Sequence, residues 1–497
     1  MNFLSMRRIT VLASLVVAMP AVAQMPAGCD PIGSVSGAIG KAQFSMQRAV
    51  SAVQGNANAT KDLQEVVKGL ADQQTDNPLA RNYILGEAYI LLLTQPGISI
   101  ESPRSALGFT TNPTATINVF AAADSAFNVV EKLAPACVPL TNQWRQNKSW
   151  MNSLNAAFNA LNAGNLDSAT LYANRALLIE HRTPYAYSVL GSAAAQRKDL
   201  TTANQYWEKV LAAAGTDSTY ADVKLRTMFE MADVLSSAAS RATGVDKARS
   251  AKQAIAAWQS YMGATNDDYR VAETLDRLVT LYKVAGDSIS IPTIYAAILA
   301  NPGKYGENTL IHAGVAATRA GKPRDAMMLL EAARLANPYS RDALYNLALT
   351  YFGTDQPAKM FPLVKAITTM DPSNPENQLL NAFAYQSLYK TTKDAKLKKI
   401  YTDSLIYFNN LAENGPVKVT ITDFLRGDKE TTLGGTIENR SATPKSFSLA
   451  VEFVDKTGAV VGSQEIPVGP VAAKSAQKFK LTIPKGGVYG FRYKPLM

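Results

Sequence analysis

The chain has 497 residues, 47% of them hydrophobic, and a formal net charge of +10. Its two histidines, His181 and His312, have no cysteine or second histidine at ligand spacing, so no metal site is expected, and no cofactor is expected either. One short apolar run near the start is the longest membrane-like stretch, so no transmembrane segment is expected after it.

That run belongs to a signal of secretory form. Arg7 and Arg8 precede an apolar stretch at 9–18, and Ala21-Val22-Ala23 supplies an A-x-A cleavage site. Residues 1–23 read as a signal peptide, with the mature chain starting at Gln24. An exported protein, periplasmic or outer-membrane associated in a bacterium, is expected. Cys29 and Cys137 lie 108 positions apart, and a lone pair in an oxidising compartment suggests a disulfide. Pro26-Ala27-Gly28-Cys29 also ends like a lipobox, with Pro26 where leucine is usual, so lipidation of Cys29 is the alternative.

Further along, two windows align at a spacing of 34 residues, 307–340 and 341–374, and a second tandem pair covers 150–183 and 184–217. Each window holds two runs of helical period around a short polar break. Tyr187, Leu190, Gly191 and Ala194 share one helix face; Ala203, Trp207, Val210 and Leu211 share another. Asn337-Pro338 and Asp371-Pro372 close their units because proline cannot continue a helix. A single hairpin cannot bury its apolar face alone, but stacked hairpins share one core. At these residues the chain resembles the tetratricopeptide repeat (TPR) family: a 34-residue helix–turn–helix with Leu190-Gly191 in helix A, Gly164 and Ala169 across the turn, and Pro338 and Pro372 as closers. Leu85-Gly86 with Tyr89 marks another helix A, and Ala285-Gly286-Asp287 another turn. The resemblance implies a mostly α fold, a TPR-like α-solenoid of about nine hairpins within 24–414, helical throughout.

At Gly415-Pro416 the period changes from helical to two. Val417, Val419 and Ile421 alternate with polar residues, as do Phe447, Leu449, Val451 and Phe453, then Phe479, Leu481 and Ile483, then Tyr489, Phe491 and Tyr493. Turns fall at Gly427-Asp428, Lys456-Thr457-Gly458 and Lys485-Gly486-Gly487. About seven strands in a small β-sandwich are expected over 415–497. Gly435-Thr436-Ile437-Glu438-Asn439 and Phe453-Val454-Asp455 with Gly458 resemble motifs of the FxLYD family of Ig-like domains, which implies an accessory binding or assembly module without chemistry. Residues 416–497 carry 12 Lys/Arg against 7 Asp/Glu, and Lys390, Lys393, Lys396, Lys398 and Lys399 precede them. This excess reads either as a solvated face or as a surface for an anionic envelope component or acidic partner. No nucleic-acid motif accompanies it.

No phosphate loop, metalloprotease motif or nucleophile elbow is present. Ser475-Ala476-Gln477-Lys478 and Lys456-Thr457-Gly458 match penicillin-recognising enzymes only by letter, in the wrong order and on strands. A non-catalytic scaffold is therefore expected, holding a protein or peptide partner on the outward face of helix A. The candidate groove residues are Met151, Leu154 and Phe158; Tyr185 and Ser188 (with Ser192); Asn308 and Ile311 (with Val315); and Asp342, Tyr345, Asn346 and Leu349. Each could instead be inter-repeat core. A glycan- or surface-binding protein using the basic β domain is the alternative function, and an enzyme with an unrecognised site is the third.

Overall fold

The computed structural model describes residues 26–33, 37–72 and 75–496, so the signal segment lies outside the described residues. The chain divides into two compact units, one ending at Met231 and the other starting at Ala232.

The first unit is built from helical hairpins: α1 (Gly37–Gln54) with α2 (Thr60–Leu70), α3 (Pro78–Leu92) with α4 (Val119–Leu133), α6 (Lys148–Asn162) with α7 (Leu166–Leu177), and α8 (Tyr185–Gln196) with α9 (Leu200–Ala214). A short α5 (Val138–Arg145) precedes α6, and α10 (Ala221–Arg241) carries the chain out of the unit. Side chains of Asn77, Asn118, Asn147, Asn165 and Asp199 each accept a backbone N–H in the first turn of a helix, satisfying donors that have no intrahelical partner. The glycine of helix A has a packing reason. A Cβ on Gly86 would sit 2.4 Å from the Phe127 ring, and one on Gly191 would sit 2.7 Å from Trp207. In each hairpin a large residue of the second helix fills the space that glycine leaves.

In this unit the expectation of an all-helical region fails at the α3–α4 connection. Between α3 and α4 lies a two-stranded antiparallel ribbon, β1 (Glu101–Pro103) and β2 (Thr116–Asn118). Pro96, Gly97, Pro103, Gly108 and Pro113 prevent a helix here. The Arg104 guanidinium instead lies 3.9 Å over the Phe109 ring and donates to the Thr111 carbonyl at 2.9 Å.

In the second unit, Trp258 of α11 (Gly244–Ala264) donates its indole N–H to Ser236 of α10 at 2.7 Å. α12 (Asp268–Val284) follows, but its second helix does not form. After Gly286, at φ +74°, the chain makes 3-10 turns at Ser288–Ile294 and Pro302–Lys304 around a five-residue α13 (Ala296–Ala300). Pro292 and Pro302 account for this departure from the hairpin pattern. Regular hairpins resume with α14 (Glu307–Arg319) and α15 (Pro323–Ala336), α16 (Arg341–Gly353) and α17 (Pro357–Met370), and α18 (Pro375–Thr391) and α19 (Ala395–Asn414).

The unit ends in six strands rather than about seven: β3 (Val417–Arg426), β4 (Thr431–Asn439), β5 (Lys445–Val454), β6 (Val460–Val471), β7 (Ser475–Ile483) and β8 (Gly490–Tyr493). They form two antiparallel sheets, β3-β4-β7 and β6-β5-β8, over one core that includes Val419, Leu433, Ile437, Leu449, Phe453 and Leu481. Burial along β5 and β7 alternates residue by residue, as period-two patterning requires.

Candidate functional site

The outward faces of the first helices of each hairpin carry the candidate groove residues, and each unit presents its own set. In the first unit, Met151 and Phe158 of α6 and Tyr185 of α8 are half-buried. Leu154 is buried, as are Ser188, whose hydroxyl donates to the Tyr185 carbonyl at 2.7 Å, and Ser192, which donates to Glu230 at 2.7 Å. In the second unit, Asp342 is exposed, and Asn308, Val315, Tyr345, Asn346 and Leu349 are half-buried. Ile311 is buried. Tyr345 and Leu349 stand one turn apart on α16, so they form one apolar spot on that face. Burial, with the Glu376 charge behind it, raises the Tyr345 phenol above its ordinary pKa.

A polar cluster that the sequence reading left out adjoins this face. His312 Nδ1 lies 2.8 Å from Asp276, and Arg319 approaches the same carboxylate at 3.5 Å. Burial pushes the Asp276 carboxyl up, but the His312 hydrogen bond and the charges of His312 and Arg319 outweigh it and hold the group below the usual range. Asp267 and Asp268 both act as helix caps. Asp267 accepts the Arg270 N–H at 2.9 Å, while Asp268 accepts from the Asn308 and Thr309 N–H groups, each at 3.0 Å, at the start of α14. Asp268 thus caps a helix whose own N-cap, Gly306, has no side chain.

The turns that close two repeats have a second use. A Cβ on Gly458 would lie 2.0 Å from the Tyr339 hydroxyl and one on Gly490 only 2.4 Å from the Tyr339 Cβ, so two glycines of the sandwich admit this side chain of the first turn. Asn337 donates to the Tyr489 carbonyl at 2.9 Å, and Arg426 pairs with Glu307 at 2.8 Å. At the next turn, the Tyr493 hydroxyl donates to the buried Asp371, which also meets Arg341 at 3.0 Å. The Val419 N–H donates to the Ser373 carbonyl at 2.9 Å. The sandwich is thereby fixed to the Asn-Pro and Asp-Pro corners of its own repeats. Nothing in the periodicity signals this. The only sequence trace is the pair of glycines facing Tyr339.

Cys29 and Cys137 are bonded, buried beside Tyr83, Val130 and Leu140. Next to them Glu87 has its carboxyl pushed up to about 7 by burial, against the lowering effect of hydrogen bonds from Tyr83 and Trp144. Because this pKa is raised on folding, the group favours the folded state fully below its ordinary value of 4.5, and that contribution fades as pH rises through about 7. The wild-type chain should lose roughly 3 kcal/mol relative to Glu87→Gln between pH 4.5 and 8. Urea unfolding of both proteins across that range checks this; parallel pH profiles would refute it.

Lys456-Thr457-Gly458 occupies the β5–β6 turn and Ser475–Lys478 lies on β7, so neither presents a nucleophile at a helix start. Among the described residues no group of three His, Cys, Asp or Glu side chains is placed to hold a metal, and no helix is long and apolar enough to cross a membrane.

The described hairpins and the two-sheet domain define the fold class: a TPR-like α-solenoid followed by a small β-sandwich. No family model matches the chain, and no curated protein does. Among solved structures it aligns with pilF of Pseudomonas aeruginosa at 13% identity, over 54% of this chain and 93% of that one, with a TM-score of 0.23. A tetratricopeptide repeat protein of Parabacteroides merdae aligns at 13% identity over 53% and 99%, TM-score 0.28. The MamA protein aligns at 16% identity over 48% and 97%, TM-score 0.24. With superpositions this loose, the fold assignment rests on the chain's own hairpins and their 34-residue period.

Proposed function

We propose that this chain is an exported, non-catalytic scaffold of the bacterial cell envelope that holds a segment of another protein on the helix A face of its repeats. The observation that carries this reading is the face of α16, where Tyr345 and Leu349 form an apolar spot one turn from Asp342 and Asn346. Half-buried aromatic and aliphatic side chains ringed by polar groups have the make-up of an interface anchor. In the first unit Met151, Phe158 and Tyr185 supply a comparable face. The signal-like start supports export. The C-terminal sandwich is read as an FxLYD-like accessory module, in which Asn439 of the G-x-I-x-N strand donates its buried amide to the Val471 carbonyl at 2.9 Å.

Tyr345→Ala combined with Leu349→Ala is expected to cost roughly 2–4 kcal/mol of partner binding, a loss of 30-fold or more, with the thermal melt unchanged. The assay is crosslinking capture from envelope extract followed by mass spectrometry, with circular dichroism melts alongside. Unchanged capture with a lowered melting temperature would assign the two residues to inter-repeat core. Polysaccharide recovered in place of protein would favour the alternative, a surface- or glycan-binding protein using the basic sandwich.

A further inference from the structure

The last helical hairpin leaves one face of α19 bare. The helix packs on α18 through Tyr401 and Phe408, whose rings lie 6.1 and 5.6 Å from that of Tyr385, and of its twenty residues only Ala412 is buried. Beside these rings, Leu397, Ile400, Tyr407 and Leu411 are 38%, 55%, 61% and 37% exposed. With Ser404 they follow heptad spacing (i, i+3, i+7, i+10, i+14), which makes a single stripe about 21 Å long. On an earlier hairpin the second helix packs against the first helix of the next, as α17 does against α18. On α19 the corresponding surface has no following helix, and a terminal repeat ordinarily turns a polar face to water.

The charges at the start of the stripe are mostly positive, while Asp403 and Glu413 stand farther along the helix. Between residues 390 and 400 stand five lysines and one aspartate. That aspartate, Asp394, is engaged in capping the Lys396 and Leu397 N–H groups at 2.8 and 3.3 Å. Lys390 and Lys398 lie over the rings of Phe352 and Tyr389. Lys393, Lys396 and Lys399 have no carboxylate partner among the described residues. A heptad-spaced apolar seam selects a helix, and the lysines at its start select acidic residues opposite them.

We propose that this face of α19 docks an amphipathic helix with acidic flanks, supplied by another protein. A second copy packed in parallel would set lysine against lysine at the start of the seam, so that pairing is disfavoured. The proposal is independent of the helix A groove, because it uses a different helix and a different face.

The test uses the full mature chain and a designed helical peptide of about three heptads, with leucine at a and d and glutamate at e and g, beside a control with lysine in place of each glutamate. Fluorescence anisotropy should show the acidic peptide binding at least tenfold tighter than the basic one, with the difference shrinking as salt is added. Ile400→Glu with Tyr407→Glu should reduce binding of the acidic peptide at least tenfold, and Lys396→Glu with Lys399→Glu should shift preference toward the basic peptide. All four positions are exposed, so melting temperatures should stay unchanged. Equal binding of the two peptides, or binding indifferent to the Ile400/Tyr407 variant, overturns the proposal. So does a dimer, or adsorption to anionic phosphatidylserine vesicles, that the same variant abolishes, since each assigns the face to another occupant.

Discussion

Replacing Cys29 with alanine should lower the unfolding free energy of the first unit by roughly 4–5 kcal/mol, because the bond closes a loop between positions 108 residues apart. Long loops lose the most chain entropy when they are closed, so removing the bond releases the unfolded ensemble rather than breaking a large native contact. The native surroundings add to this. Cys137 is fully buried, and Tyr83 and Leu140 pack on the pair. Trp144 donates to the Tyr83 hydroxyl at 3.4 Å in the same cluster, so tryptophan fluorescence reports on the site. Urea titrations of wild type, of Cys29→Ala and of wild type with reductant should give one high midpoint and two low ones. Equal midpoints, or two free thiols in the unfolded, unreduced protein, would defeat the expectation. A consequence follows for Glu87: without the bond this corner should admit water, and its contribution to the pH profile between 4.5 and 8 should shrink.

The hairpins were legible because their causes are local and repeated. Gly191 and Trp207 belong to one window and meet within one hairpin; Pro338 and Pro372 each stand just past the end of a second helix, α15 and α17. A period of 34 registers both. The failures have equally physical origins. The β1–β2 ribbon has strands of three residues, too short for alternation to be counted, and its stabilising contact is Arg104 on Phe109, a pairing with no period. At 288–304 the expected helical region gives way to 3-10 turns, and Pro292 and Pro302 are the local cause.

The candidate site was legible only in part. Helical spacing places Tyr345, Leu349 and Ile311 on first helices, but it cannot say how closely the neighbouring helices pack. Ile311 is buried while Tyr345 and Leu349 are half-buried, and that difference depends on contacts between repeats. The attachment of the sandwich is less legible still. Asp371 and Tyr493 are 122 positions apart and meet only after two different folding patterns are complete. Burial and then the Asp371 charge push the Tyr493 phenol well above its ordinary pKa, so it stays a donor to that carboxylate.

Arg145→Met is expected to destabilise the first unit by about 3–5 kcal/mol, although methionine fills much of the same space. The Arg145 side chain is completely buried and uses its donors on several partners. It pairs with Asp124, meets Glu131 at 3.0 Å, and donates to Asn128 at 2.8 Å and to the Ile179 carbonyl at 2.7 Å. It therefore ties α4 to the chain that leaves α7, joining two hairpins. Burial acts to raise the Glu131 carboxyl, but the Thr141 hydrogen bond and the Arg145 and Arg182 guanidinium groups hold it below the usual range. Methionine would leave Asp124 and Glu131 with much less compensation in a poorly solvated place, and that unpaired charge is the main cost. Adding Glu131→Gln to Arg145→Met should then recover part of the loss, with a coupling of about 1–3 kcal/mol in a double-mutant cycle. The pH dependence gives a second readout. A depressed carboxyl contributes stability above its ordinary value of 4.5 and loses it as pH falls through its folded value, so the acid-side slope due to Glu131 should flatten in Arg145→Met. A loss under about 1 kcal/mol, or additive single and double variants, would mean that water enters the site and that Arg145 is not what joins these hairpins.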